Sequence, residues 1–415
     1  MKKKDTGKLI AILLLIILFT IGAFTYVSIE NKNKESYSVM LFFYDPIPRE
    51  LVPLNMKIEG TPEVVTKKIF EYLKSPPDTN YFPTIGHELS LGYAKFSNGT
   101  LTINILSHNT KKSEKDAYIT FLSLANSLKS IKGVEHLNVL VDGEKKTTFL
   151  GYVSIEDTLN NLTSTLPKFK MENLYFLTPD CKYLAVEKRE MKIEDSPLIF
   201  AKKVLDELSC GSHIGLASLL KEDMIRSIEI KSGGIAVVDF TERINDVSMG
   251  SNTAQLFVES IVNSLTEIRE INSVSFEVEG KPVDTLFGVV DTGAPLLRFN
   301  RPLGTHFLIP YYVKDVNGNK VFVPVPTEEK EVNLNALIAL LQSPPPGLYS
   351  DIKDVSFTML KKERDTLKAE IKRKSVLSAD AIENIKEEVL FSFTEIEGIN
   401  KIELFIGEEV FLLSR

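Results

Sequence analysis

One pattern, written three times, constrains this chain more than any other feature. It reads "GVEHLNVLVDGEK" at 133–145, "INSVSFEVEGKP" from Ile271 and "GINKIELFIGEE" from Gly398. Each version reads as the end of a helix, a short alternating strand and a tight turn. Placed in register, the copies agree upstream as well. A helical stripe precedes each strand: Ala117, Phe121, Leu124, Leu128 and Ile131 in the first, Ala254, Phe257, Val258, Ile261, Leu265 and Ile268 in the second, Ile382, Ile385, Val389, Phe393 and Ile396 in the third. These recur at helical spacing. Ser113 with Asp116 forms an S-x-x-D start signal, and Gly133 supplies the stop.

Before each stripe lies an expected hairpin. Its second strand is "NGTLTINI" from Asn98, "GGIAVVDF" from Gly233 or "RDTLKAEI" from Arg364, with Asn-Gly, Gly-Gly or Arg-Asp at the corner. In the third copy helix propensity competes, and only the alignment to the other two argues for a strand there. Earlier comes a first helix, opened by Pro62, Pro197 or Asn333; proline at the first helical position loses nothing by lacking an N–H. Two opening strands precede that helix. Each unit is therefore expected to run β-β-α-β-β-α-β, with trailing strands at "FLGYVSI" and "TLFGVV".

The corresponding glycines Gly143, Gly280 and Gly407 recur at roughly 130 residues, far longer than a solenoid repeat, so the chain reads as tandem complete domains. A length of 415 residues fits that count. The expected class is α/β in two-layer α+β form, with helices on one face of a sheet. The expected segments are 1–30 (lysines and membrane anchor), 36–155 (first module), 156–170 (linker), 171–300 (second module) and 301–415 (a divergent third). The junction "GAPLLRFNRPLG" is short and carries two prolines, which favours a fixed relation between the second and third modules.

The first residues predict a membrane anchor. Lys2, Lys3, Lys4 and Lys8 precede an uncharged, mostly apolar run over 9–27, long enough as a helix to cross about 30 Å of hydrocarbon. The lysines are expected to stay cytoplasmic, placing the chain from about Glu30 onward outside the cytoplasmic membrane as a single-pass protein. The rival reading is a cleaved signal peptide with Ala23 before the cut; Ile21 fits that site poorly, and the apolar run exceeds a usual signal core. No cysteine near the run offers a lipoprotein attachment point. The net charge of −7 and the lack of a later Lys/Arg block exclude a phosphate-tracking surface, so no nucleic-acid partner is expected. The two cysteines, Cys181 and Cys210, are too few for a disulfide-held fold; one bridge or two thiols are both open.

At this point the chain resembles a known family. An "LVP"-type second strand, a helix with a Ser-Pro-Pro-like stop, "NGTLTINI" or "GGIAVVDF", a second helix and a V-x-V-x-V-(D/E)-G-like strand and turn are similar to the GerMN domain. That domain is the repeated module of GerM-type sporulation and spore-germination proteins. The second copy fits best, especially "VESIVNSLTEIREINSVSFEVEGKP", and the third is remote. The resemblance implies a fold similar to ring-building domains of secretion and sporulation machines, and an extracytoplasmic role in assembling envelope complexes. Two differences stand out: relatives often carry two modules where three are read here, and many are lipoproteins.

The search for chemistry yields no catalytic, cofactor or metal residue. "SCGSH" pairs Cys210 with His213, as a nucleophile and base would be, but the equivalent loops "KSPPD" and "QSPPPG" keep neither. His87, His108, His136, His213 and His306 are scattered without zinc-ligand spacing. "DVNGN" from Asp315 has Lys320 and Pro326 where a calcium loop needs glycine and glutamate, so it reads as a hairpin turn. Asp142 with Glu144, and Glu277 with Glu279, are read as alternating along a strand toward solvent. The third copy has Glu403 and Phe405 there, which argues against acid catalysis. The expected function is a non-enzymatic assembly protein whose partners are envelope or sporulation-complex proteins. The alternative is peptidoglycan binding, which the absence of tryptophan disfavours.

Overall fold

The computed structural model describes residues 35–47, 49–108, 113–155, 165–300, 307–328, 332–373 and 377–414. The expected membrane span, most of the expected linker and His306 lie outside them. Among the described residues no helix is long and apolar enough to cross a membrane. The chain divides into two compact units: residues up to 170 with 190–192, and 171–189 with 193–415.

The first unit opens with a hairpin, β1 (Ser36–Asp45) antiparallel to β2 (Glu50–Glu59). Strict alternation sends Tyr37, Val39, Leu41 and Phe43 inward and leaves Met40 exposed. α1 (Pro62–Lys74) starts on its proline and buries Val65, Ile69, Phe70 and Leu73. β3 (Leu89–Ser97) then turns at Asn98 and Gly99, both with positive φ, into β4 (Thr100–Ser107). That pair of dihedrals is what an Asn-Gly hairpin corner supplies. In α2 (Glu114–Lys129) the Ser113 side chain accepts from the Asp116 N–H. β5 (His136–Val141) returns parallel to β4.

The hairpin and the three-stranded sheet β3-β4-β5 are separate sheets, and not one continuous layer under two helices. Side chains of α2 occupy the outer edge of β1: Ser127 Oγ accepts from the Phe42 N–H and Ser130 Oγ from the Met40 N–H, each at 2.9 Å. Those serines satisfy backbone donors that a further strand would otherwise take.

From residue 169 onward the same order of elements occurs twice. The first set is β6 (Phe169–Leu177), β7 (Leu184–Lys192), α3 (Pro197–Cys210), β8 (Ile225–Lys231), β9 (Ile235–Phe240), α4 (Ser251–Leu265) and β10 (Ser273–Val278). The second set is β11 (Tyr311–Val316), β12 (Asn319–Pro324), α5 (Leu334–Leu341), β13 (Val355–Glu363), β14 (Thr366–Arg373), α6 (Ala379–Thr394) and β15 (Lys401–Ile406), extended by β16 (Glu409–Ser414). Arg364 sits at the third hairpin corner with φ 59°, so the ambiguous segment is a strand. β10 lies parallel to β9 and β15 parallel to β14, as β5 does to β4. All three hairpins also bulge at the same place, between Leu91 and Tyr93, Ile225 and Ser227, and Phe357 and Met359.

The two sets share a sheet. β12 pairs antiparallel with β7 at Phe322↔Val186, giving the order β11-β12-β7-β6. Beneath it Tyr175, Leu177, Val186, Ile309, Tyr311 and Phe391 form one buried cluster.

Two expectations need correction. The trailing strands are two-residue pairs, Thr148–Phe149 with Val153–Ser154 and Thr285–Leu286 with Val290–Asp291. Leu150 and Gly151, and Phe287 and Gly288, turn them over with positive φ. Asp142 and Glu279 are likewise turn residues, with φ 54° and 52°, so neither carboxylate pair runs along a strand face. A non-glycine residue at positive φ leaves little trace in a sequence.

Candidate functional site

The loop that most invites a catalytic reading is held by a buried ion network. Glu187 and Arg189 on β7 and Glu207 on α3 are all buried. Arg189 donates to Glu187 Oε1 at 2.7 Å and to the Glu207 carboxylate, and its remaining nitrogen donates to the Gly211 carbonyl. Glu187 in turn accepts from Ser212 Oγ at 2.6 Å and the His213 N–H at 3.2 Å. The arrangement fixes the loop after the helix. Cys210 is exposed, but partial desolvation by its neighbours, and after it the charges of Glu207 and Asp206, push the thiol up, the reverse of what an activated nucleophile needs. Cys181 and Cys210 are both free thiols.

The other weighed residues do not converge. Asp142 accepts from the Ser107 hydroxyl at 2.6 Å and from its N–H at 2.8 Å, which hold its carboxyl below the usual range, while Glu144 pairs with Lys146. Asp239 binds the Gly280 N–H as Asn104 binds the Gly143 N–H, locking corresponding turns. Asp315 Oδ1 accepts from the Gly318 N–H across a hairpin corner. Among the described residues no group of three His, Cys, Asp or Glu side chains could hold a metal ion.

The most developed polar site lies where the two halves of the second unit meet. Arg298, its side chain 13% exposed, donates to Glu267 Oε1 at 2.5 Å, to Glu395 Oε1 at 3.3 Å, to the Asn263 carbonyl at 3.0 Å and to the Tyr175 hydroxyl. Tyr175 OH donates to Glu267 and Tyr311 OH to Glu395, and the two hydroxyls stand 3.1 Å apart. Burial alone would lower the guanidinium pKa, but Glu267, Tyr175 and Glu395 raise it well above its ordinary value.

The site has internal two-fold character. Tyr175 on β6 and Tyr311 on β11 each donate their N–H to a serine of the following second helix, Ser264 and Ser392, at 2.9 Å. Glu267 and Glu395 each stand three residues beyond that serine. In the first repeat the corresponding strand and helix carry Phe42 and Ser127, and the residue three beyond is Ser130. Only the repeats that join each other therefore carry the tyrosine and glutamate. That difference between aligned copies was the available sequence signal, and reading the repeats for likeness alone missed it. Chemically, two carboxylates paired with one guanidinium hold the joined strands and helix ends in fixed geometry.

A family model described as "Sporulation and spore germination", named Germane, matches residues 40–147 and 173–284. Among solved structures, the tandem GerMN domains of the sporulation protein GerM from Bacillus subtilis share 19% identity at a TM-score of 0.48, over 58% of this chain and 92% of that one. A putative lipoprotein from Clostridium perfringens shares 26% identity at a TM-score of 0.23, over 31% and 88%. The first GerMN domain of B. subtilis GerM shares 20% at 0.24, over 31% and 95%. No curated protein matches the chain.

Proposed function

The chain belongs to the Germane family of sporulation and spore germination proteins, its matched segments filling more than half of its length, and from that premise we propose that it is a non-enzymatic scaffold of the spore-forming cell envelope. Membership supports a role in sporulation. In the proposal, the apolar run at 9–27 anchors the chain in the cytoplasmic membrane and three modules stand outside it, the third a divergent copy. The support for that third copy is its element order, its parallel β14–β15 pair and its bulge at the position used by the other two.

The observation that carries the scaffold reading is the Arg298 seam. Its guanidinium joins two carboxylates and two tyrosine hydroxyls drawn from the second and third copies, which supports a role in holding two modules in a fixed relation. Fixing modules in space is the task of a protein that positions others. Affinity capture from membranes of sporulating cells, set beside sedimentation with purified peptidoglycan sacculi, tests the reading. The scaffold reading expects a stoichiometric envelope protein in the capture and a spore-yield defect in the deletion strain. Sedimentation with sacculi and capture of no protein would overturn it in favour of glycan binding.

A further inference from the structure

We propose that β16 is a self-pairing edge through which two copies of this chain join antiparallel, continuing one sheet across two third repeats. The inference rests on the third repeat alone and stands or falls apart from the scaffold reading.

It begins with how the other edges are blunted. β2 carries Pro53 midway along. β3 bulges beside Gly92, and its ends are engaged: the Leu89 carbonyl accepts from Lys74 at 2.8 Å and the Phe96 N–H donates to Glu63 at 3.0 Å. β8 bulges and carries Arg226, Glu229 and Lys231. β13 bulges and ends in Lys361, Lys362 and Glu363. β6 and β11 give N–H groups to helix serines. Bulges, prolines, charges and covering helices are the devices that stop edges from pairing with other chains.

β16 has neither bulge nor proline, and its one charged residue, Glu409, stands at its first position. It pairs with β15 in unbroken register from Lys401↔Ser414 to Ile406↔Glu409, and its central residues are Val410, Phe411, Leu412 and Leu413. The first two repeats build no such strand. One has a single bridge, Val141↔Glu144, and the other a two-residue pairing that ends on Pro282. The third repeat thus adds a full-length edge that its siblings lack. Its outer face shows Leu412 at 79% exposure and Val410 at 51%, beside the half-buried Phe405. On the inner face the Lys386 ammonium lies 4.7 Å from the Phe411 ring, holding the strand in place.

A second copy is the occupant for two reasons. This chain already joins the edges of corresponding strands antiparallel, β12 to β7. The β16 sequence is also complementary to itself: with Leu412 on the two-fold axis, Phe411 faces Leu413 of the second copy and Val410 faces Ser414, and no like charges meet. Direct and diagonal neighbours then gather both copies of Leu412 and Val410 into one apolar cluster.

The test uses the full chain in mild detergent. Light scattering is expected to show a concentration-dependent dimer, and Leu412→Lys, which sets two ammonium groups face to face, to weaken it at least tenfold while leaving the circular dichroism melt unchanged. In a chain with Cys181 and Cys210 replaced by serine, Leu412→Cys is expected to cross-link to its counterpart on oxidation, whereas Glu403→Cys, one strand further in, does not. The proposal is overturned if the unaltered chain stays monomeric at every concentration, if the lysine variant dimerises as well as the parent, or if the Leu412→Cys chain cross-links no better than the Glu403→Cys chain. The cross-linking arm decides the matter even where the lysine variant proves poorly folded, and capture of a foreign strand in place of the second copy also counts against the proposal.

Discussion

Replacing Glu388 with glutamine should remove most of the pH dependence of the third repeat's stability. Glu388 lies on α6 with no exposed surface. One carboxyl oxygen accepts from the Asp351 N–H at 3.0 Å, and the other has no hydrogen-bond partner among the described residues. Burial pushes this carboxyl from its ordinary 4.5 up to about 8, with the charge of nearby Asp351 acting in the same direction and hydrogen bonds from Ser350 and the Asp351 N–H opposing it. Across the packing, Tyr312 is pushed up to about 12 by its own burial and then by Glu388. The folded state therefore keeps a proton that the unfolded chain releases above about pH 4.5. Stability is greatest below that point, falls as pH rises and levels off above pH 8. At about 1.4 kcal/mol per pH unit, the whole fall is on the order of 5 kcal/mol. Glu388→Gln keeps the shape and cannot ionise, so its advantage over the parent should grow from near zero at pH 4.5 to several kcal/mol at pH 8.5. Hydrogen exchange of the α6 amides, corrected for intrinsic rates and measured across this range, reads the free energy locally in a chain whose two units need not unfold together. Parallel pH slopes for parent and variant would refute the reasoning.

Other outcomes follow from the same geometry. Arg298→Met leaves Glu267 and Glu395, both largely covered, without a counter-charge and should cost about 3 kcal/mol in denaturant unfolding; adding Glu267→Gln and Glu395→Gln should recover most of it, and no recovery would contradict the assignment. Iodoacetamide should alkylate Cys210 at pH 7 more slowly than it does a free small thiol, because the thiol is pushed up; faster reaction would contradict this. Gly280→Ala places a Cβ at φ +74° and 3.2 Å from Arg226 Nη1, and should lower stability by about 1–2 kcal/mol in a thermal melt.

Much of the fold was legible because its signals are local. Pro62 and Pro197 start helices, Ser113 caps one through its hydroxyl, and Asn98, Gly99, Gly233 and Gly234 turn hairpins, each through the residue's own dihedrals or one nearby hydrogen bond. The turns at Leu150 and Phe287 escaped because a large apolar residue at positive φ looks like a strand residue. The shared sheet escaped for a different reason. Phe322 meets Val186 across more than a hundred residues, and no local pattern encodes such a pairing. Arg298 sat inside a segment read as a short junction, and its partners come from strands and helix ends far away in sequence. Comparing aligned copies for where they differ, Tyr175 and Tyr311 against Phe42, and Glu267 and Glu395 against Ser130, recovers that site from sequence alone.

The most direct test of the central claim, that the second and third copies are locked into one rigid piece of scaffold, is hydrogen exchange of the full chain in increasing denaturant, followed separately in β6–β7 and β11–β12. The account predicts that both hairpins open at the same free energy and that Arg298→Met lowers them together. Opening of β11–β12 well before β6–β7, untouched by that substitution, would contradict it.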